Sequence, residues 1–169
     1  MELLKEAFPK IRVVAMLNPG GNLEDARTGA KVLGLQVHPY EIKSAGDIDR
    51  AGDDMKKLRA NALLIGTGSV AILNLRRIAE LAARLRLPAM SQTQQFVEEG
   101  GLMAYGVNFG DLYRRAAGYV DKILKGRKPI DLPIEQPMKF ELVINLKAAK
   151  QIGVEISPNV LARADRVIK

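Results

Sequence analysis

The chain has 169 residues, 47% of them hydrophobic and 27% charged. That is enough to bury a core of ordinary size, and it excludes a disordered tail, a collagen-like polymer and a disulfide-stapled miniprotein. Twenty-six basic residues stand against 19 acidic ones, a formal charge of +7, and cysteine is absent, which removes redox and thiolate-metal chemistry.

Residues 11–17 are a short apolar run rich in Val, closed by Asn18-Pro19-Gly20-Gly21-Asn22, and predict a buried strand ending in a turn. Asn22 can cap a helix over 23–33, stopped by Gly34. A second strand follows at 35–42, and Ser44 with Asp47 three residues on predicts a capped helix to about Arg59. The third strand is 62–65, broken by Gly66-Thr67-Gly68-Ser69, and 70–85 carries apolar residues at helical spacing with arginines opposite. Residues 88–90 predict a short strand, 93–98 a short helix, 102–107 a strand and 111–125 an amphipathic helix stopped by Gly126. Five βα units with short loops and apolar strands predict an α/β fold with a flavodoxin-like doubly wound parallel sheet.

After Gly126 the pattern changes. Pro129, Pro133 and Pro137 mark residues 127–139 as an extended traverse, leading to a strand at 140–145 and short helices at 147–152 and 160–167. The expected division is therefore an α/β lobe over 1–126, followed by 127–169 as crossing segment, strand and C-terminal helices packing back on it.

Little in the chain suits catalysis. His38 has no second ligand near it in sequence, and Asp53-Asp54 and Glu98-Glu99 are sequence neighbours that point to different helix faces. The segment 66–69 lacks the second Gly of a serine nucleophile elbow, the Lys of a Walker loop and the third Gly of a dinucleotide fingerprint. No catalytic residue, metal site or cofactor is expected.

What remains is position. In a doubly wound sheet, ligands sit at the carboxyl ends of the strands. Three short polar loops fall there: 18–22, 66–69 and 91–95. Turn geometry alone accounts for Gly or Asn at any one position, but as a set the three make a wall of a small-molecule site. The positive charge falls in two stretches, +3 over 76–86 and +4 over 111–128. With only 5% aromatic residues both are read as solvated helix surfaces, and no nucleic-acid partner is expected.

Longer strings carry a family signature. Residues 3–10 (LLKEAFPK) leading to Asn18-Pro19, and 96–106 (FVEEGGLMAYG), resemble ABC transporter substrate-binding proteins of the group that includes tryptophan and tyrosine binders. The later strings 111–117 (DLYRRAA), 123–126 (ILKG), 131–133 (DLP), 136–137 (QP) and 139–147 (KFELVINLK) match more closely still, and the likeness continues to 161–165 (LARAD).

The resemblance implies a type I periplasmic binding protein: two α/β lobes that close on a solute and deliver it to an ABC permease without chemistry. Full-length relatives are expected to be periplasmic or lipid-anchored and extracytoplasmic. By the same resemblance the chain is expected to correspond to the second lobe and C-terminal part only, as an isolated or truncated form, with no signal segment. By motif position the implied ligand contacts are Asn18, Asn22, Thr67, Ser69, Gln92 and Thr93. Gly68 stands where the family often has an Asp, and 91–95 lacks acidic residues, which favours an uncharged or anionic ligand over an amino acid.

The resemblance would also place strand 102–107 and helix 111–125 in the absent lobe. They are expected either to complete this sheet as fifth strand and covering helix, or to form a domain-swapped homodimer through 102–126. The alternative functional expectation is a stand-alone flavodoxin-like regulatory or enzyme module that binds a phosphate-bearing ligand.

Overall fold

Apolar runs of four or five residues, too short for helices, alternate with amphipathic segments, and the apolar runs meet edge to edge as a sheet. The computed structural model describes residues 1–17 and 23–169. Its strands are β1 (Val13–Leu17), β2 (Gln36–Tyr40), β3 (Ala62–Ile65), β4 (Ala89–Ser91), β5 (Met103–Val107), β6 (Phe140–Asn145) and β7 (Arg166–Ile168). They form one sheet in the order β2-β1-β3-β4-β5-β6-β7. The first five are parallel and keep the flavodoxin-like order.

The sheet is not parallel throughout. β6 returns antiparallel to β5, because the chain comes back to the sheet from the end at which β5 left it, and β7 runs parallel to β6.

Helices α1 (Glu2–Ala7), α2 (Leu23–Val32), α8 (Leu146–Ile152) and α9 (Pro158–Ala162) accompany one face. There Leu4, Val14, Leu64, Met103 and Ile144 share a core. The other face carries α3 (Ala45–Lys57), α4 (Ser69–Leu73), α5 (Leu75–Arg84) and α6 (Gln95–Glu98) over Ala15, Leu17, Leu63, Ile65 and Ile78. Alternate residues of β1 and β3 thus feed opposite cores.

The cap expected at Ser44 is formed as a reciprocal box with Asp47. The Arg50 guanidinium and the Ser44 hydroxyl, followed by the Lys43 and Ser44 backbone N–H groups, hold the Asp47 carboxyl well below the usual carboxylate range.

Two of the expected helices are corrected. The helix expected over 70–85 is two helices, because Asn74 leaves helical geometry and donates its side-chain amide to the Val70 carbonyl at 2.8 Å. The helix expected over 160–167 ends at Ala162, and Arg166–Ile168 is a strand. There the free edge of β6 outweighs local periodicity: Asp165 accepts the Leu142 N–H at 2.7 Å and returns its own N–H to the Leu142 carbonyl at 2.9 Å. Helix α1 was read only as a family string.

Helix α7 (Phe109–Leu124) buries none of its residues. Strand 102–107 does complete the sheet as β5, but the helix after it does not cover the sheet. It projects as an arm with the traverse folded along it. Leu112, Ala116, Tyr119 and Ile123 face Leu132 and Ile134 across a groove of about 380 Å³. The Tyr119 hydroxyl donates to the Pro133 carbonyl at 2.6 Å, and Arg115 reaches Glu135 at 2.8 Å. Phe109, Tyr113, Val120 and Leu124 remain exposed on the arm. No helix among the described residues is long and apolar enough to cross a membrane.

Candidate functional site

The register places Leu17, Ile65 and Ser91 side by side at the carboxyl ends of β1, β3 and β4. The described loops that follow β3 and β4 therefore open on one edge. Asn18 and Asn22 lie outside the described residues. Thr67 and Ser69 are exposed on the β3–α4 turn, where Gly68 takes extended backbone before the helix. Gln92 is exposed and Thr93 half-buried on the neighbouring β4–α6 loop. The structure thus brings together the four described candidates, on the loops of two adjacent strands about 5 Å apart.

Thr93 is the best-rooted of them. Its backbone N–H donates to the buried Ser91 hydroxyl at 3.2 Å, while its own hydroxyl is buried without a partner among the described residues. An orphaned hydroxyl costs stability unless something arrives to pair with it. A separate groove of about 580 Å³ lies between α1 and α2, with Met90, Tyr105 and Leu142 in its lining. It contains none of the four.

Behind the loops sits a polar cluster that reading by motif missed. The Glu141 carboxylate, at the start of β6, accepts the side-chain amides of both Gln94 and Asn108, and the Lys139 ammonium lies 3.6 Å away. These bonds, Asn108 first and Gln94 second, with Lys139 assisting, hold the Glu141 carboxyl below its ordinary value against the opposing effect of burial. Asn108 is committed twice over: its side-chain oxygen caps α7 by accepting the Asp111 N–H at 2.8 Å, and its backbone N–H donates to the Lys139 carbonyl at 3.0 Å. The pattern Asn108-x-x-Asp111 before an apolar period was the available signal.

Gly106 completes the anchor. A Cβ there would lie 1.8 Å from the Gln92 carbonyl oxygen, so only glycine lets β5 pass the site loop this closely. The loop bearing Gln92, Thr93 and Gln94 is thus tied at two points to the segments that lead into and out of the arm.

Glu141→Leu, which strands both amides, is expected to cost about 2 kcal/mol, and Glu141→Gln about 1 kcal/mol. Gln94 can turn its amide over to meet a glutamine, whereas Asn108 would lose its cap by doing so. Because the folded carboxyl titrates below the unfolded one, its contribution is present above about pH 4.3 and fades as the pH falls through the folded value. Urea unfolding should show the gap between the parent and Glu141→Gln narrowing on acidification. A gap constant with pH would contradict the cluster.

A family model described as ABC transporter substrate binding protein matches residues 1–168. The chain belongs to that family. Of the two functional expectations, the match is to the first.

The tyrosine-binding protein of Clostridioides difficile (strain R20291) is 18% identical over 161 residues, which is 92% of this chain and 46% of that protein. The chain thus spans less than half the length of that relative. Among solved structures, a conserved domain protein of Vibrio cholerae superposes with a TM-score of 0.87 at 24% identity, covering 98% of this chain and 58% of that one. A Streptococcus pneumoniae ABC domain in complex with L-Trp gives 0.86 at 24% identity, covering 99% and 60%. At this identity the superpositions establish the fold, that of a substrate-binding-protein domain.

Proposed function

We infer that this substrate-binding family member holds a small organic solute at the carboxyl edge of β1, β3 and β4, and does so without chemistry. Thr67, Ser69, Gln92 and Thr93 supply the contacts from the described residues, and Asn18 and Asn22, which lie outside them, complete the set. The observation that carries this reading is the double tie between the β4 loop and the arm, through Gly106 and through Glu141. Ligand contact and arm orientation are mechanically joined, as a protein that closes on its solute requires.

The edge supplies one wall. Its complement is a first lobe seated on the exposed face of the arm, or a second copy of the chain in its place. The full assembly would work outside the cytoplasm and hand its solute to an ABC permease.

The four described contacts are hydroxyls and amides with no carboxylate to receive an ammonium group, which suits an uncharged or anionic ligand. Tyrosine and tryptophan, bound by the relatives named above, are the amino acids to set against that choice.

Calorimetric titration with these two, nucleosides and aromatic acids should find binding weaker than micromolar, reduced several-fold by Thr67→Val and Gln92→Ala. Submicromolar affinity would refute the one-walled site. Binding indifferent to both substitutions would refute its location.

A further inference from the structure

The opposite end of the sheet has a chemistry of its own. In a parallel α/β sheet every helix-to-strand loop comes down at the amino edge of the strands. The loops before β1 to β5 are residues 8–12, 33–35, 58–61, 85–88 and 99–102, and they carry Lys10, Arg12, Arg59 and Arg86 against Glu99 alone. The three arginines enter on neighbouring strands. Asn61, two residues after Arg59, accepts the Arg12 N–H at 2.9 Å, and the Leu63 N–H donates to Pro88, two residues after Arg86, at 2.9 Å. Arg12, Arg59 and Arg86 therefore form a row with the spacing of adjacent strands, about 5 Å.

Other cations join them. Lys56 and Arg84 extend the patch from the last turns of α3 and α5. The Lys5 ammonium donates into the same α1–β1 loop, to the Pro9 and Ile11 carbonyls at 2.8 and 2.9 Å. Lys10, Lys56, Arg59, Arg84 and Arg86 make no ion pair among the described residues. By contrast Arg76 and Arg77, which made the 76–86 stretch look basic, are paired with Glu80 and Asp49. The unpaired charge of that stretch is thus Arg84, in the last turn of α5, and Arg86, on the loop that follows it.

A second feature sets these arginines apart. Among the described residues six positions have positive φ, and four of them are the helix-ending glycines Gly34, Gly100, Gly126 and Gly153. The other two are Arg59 and Arg86, both at φ 52°. Each ends its helix in the same double hydrogen bond that the glycines make: Ala60 N–H to Met55 and Arg59 N–H to Lys56, then Leu87 N–H to Ala82 and Arg86 N–H to Ala83. Glycine is the residue this geometry favours. Complementing the helix dipole would account for Lys56 and Arg84 inside the helices. It does not account for an arginine held in left-handed backbone on two adjacent loops, where strain suggests a use for the side chain.

We propose that the row Arg12, Arg59 and Arg86, flanked by Lys10, Lys56 and Arg84, is a docking surface for an anionic phospholipid bilayer. The loops end together at one edge of the sheet, so the cations can meet an extended plane of phosphates at once. Leu58, beside Arg59, is 42% exposed and can enter the headgroup layer. Single-stranded nucleic acid would call for aromatic stacking, and the exposed aromatics Tyr105, Phe109, Tyr113 and Phe140 belong to the arm or to the strands at its root. An acidic protein partner would call for a buried apolar or aromatic anchor, which these loops lack. Docked in this way, the protein turns its carboxyl edge, the candidate solute site, away from the membrane. The proposal is independent of solute binding, and either can fail alone.

The test is co-sedimentation of the full chain with vesicles of phosphatidylcholine alone, or of phosphatidylcholine with phosphatidylglycerol. Retention is expected only on the anionic vesicles, falling as salt rises. Arg59→Gly with Arg86→Gly should lower it about 30-fold, equivalent to ~1 kcal/mol for each cation. Glycine suits both backbone positions, so the melting temperature should hold or rise. Lys10→Gln with Lys56→Gln, at exposed and unpaired side chains, gives a second pair and the same direction of change. Equal retention on neutral vesicles, retention undiminished in either double variant, or capture by heparin or an acidic protein with none by vesicles would each overturn the proposal.

Discussion

Gly106→Ala is expected to destabilise the protein by about 3 kcal/mol or more, seen as a drop of roughly 10 °C in melting temperature. The atom in the way is the Gln92 carbonyl oxygen, 1.8 Å from where the new Cβ would be, and it belongs to backbone, so no rotamer change can relieve the overlap. Either the β4–α6 loop moves off β5, or β5 shifts against β4, with which it shares the short pairing of Met90 with Met103 and Ser91 with Ala104. Both outcomes disturb Gln92 and Thr93. Any residual ligand binding should therefore fall with stability. A melting temperature within about 2 °C of the parent would show that the close approach is not real.

Phe96→Ala should cost about 4 kcal/mol. Phe96 is 0% exposed and seals the core beneath the site loop, with its ring so close to Gly101 that a Cβ there would meet it at 2.3 Å. Truncation leaves a cavity that the glycine on the far side cannot fill. Substitutions on the outer face of the arm provide the contrast: Tyr113 is 73% exposed, and Tyr113→Ser should change stability little. Chemical denaturation of the two variants side by side checks this. A small loss for Phe96→Ala, comparable to that of Tyr113→Ser, would mean the core is not packed as described.

The same contrast between core and arm explains how much was legible in sequence. Strands 62–65 and 140–145 were read to the residue: the first is a fully buried, continuous apolar run, and the second carries the buried apolar run Leu142-Val143-Ile144 between polar residues. The cap at Ser44 was legible because both partners of the box lie within four residues. What failed was decided at long range. β7 has three residues of which none is fully buried, and it exists because β6 offers a free edge and Asp165 locks onto Leu142.

The candidate site divides in the same way. The loops 66–69 and 91–95 could be picked out from their place after apolar strands, since the topology itself puts such loops together, whereas the choice of Thr67, Ser69, Gln92 and Thr93 within them came from the family resemblance. Gln94, Asn108 and Glu141 could not, because their meeting joins residues 47 and 33 positions apart and leaves no local pattern beyond the cap at Asn108. The amphipathic period read over 111–125 was real, yet it left open whether the helix covers this sheet or pairs with a second copy. Periodicity reports that a face seeks a partner and is silent on which, and here, among the described residues, the face meets the traverse.

In the proposed function this chain offers one wall of a solute site at the carboxyl edge of β1, β3 and β4. Amide-resolved NMR titration with tyrosine, tryptophan, nucleosides and aromatic acids tests it most directly, because weak binding still moves resonances. A ligand is expected to shift the amides of residues 66–69 and 92–94, with smaller changes relayed to Asn108 and Glu141. Shifts confined to the groove between α1 and α2 or to the amino-edge loops, or no shift with any member of the panel, would contradict it.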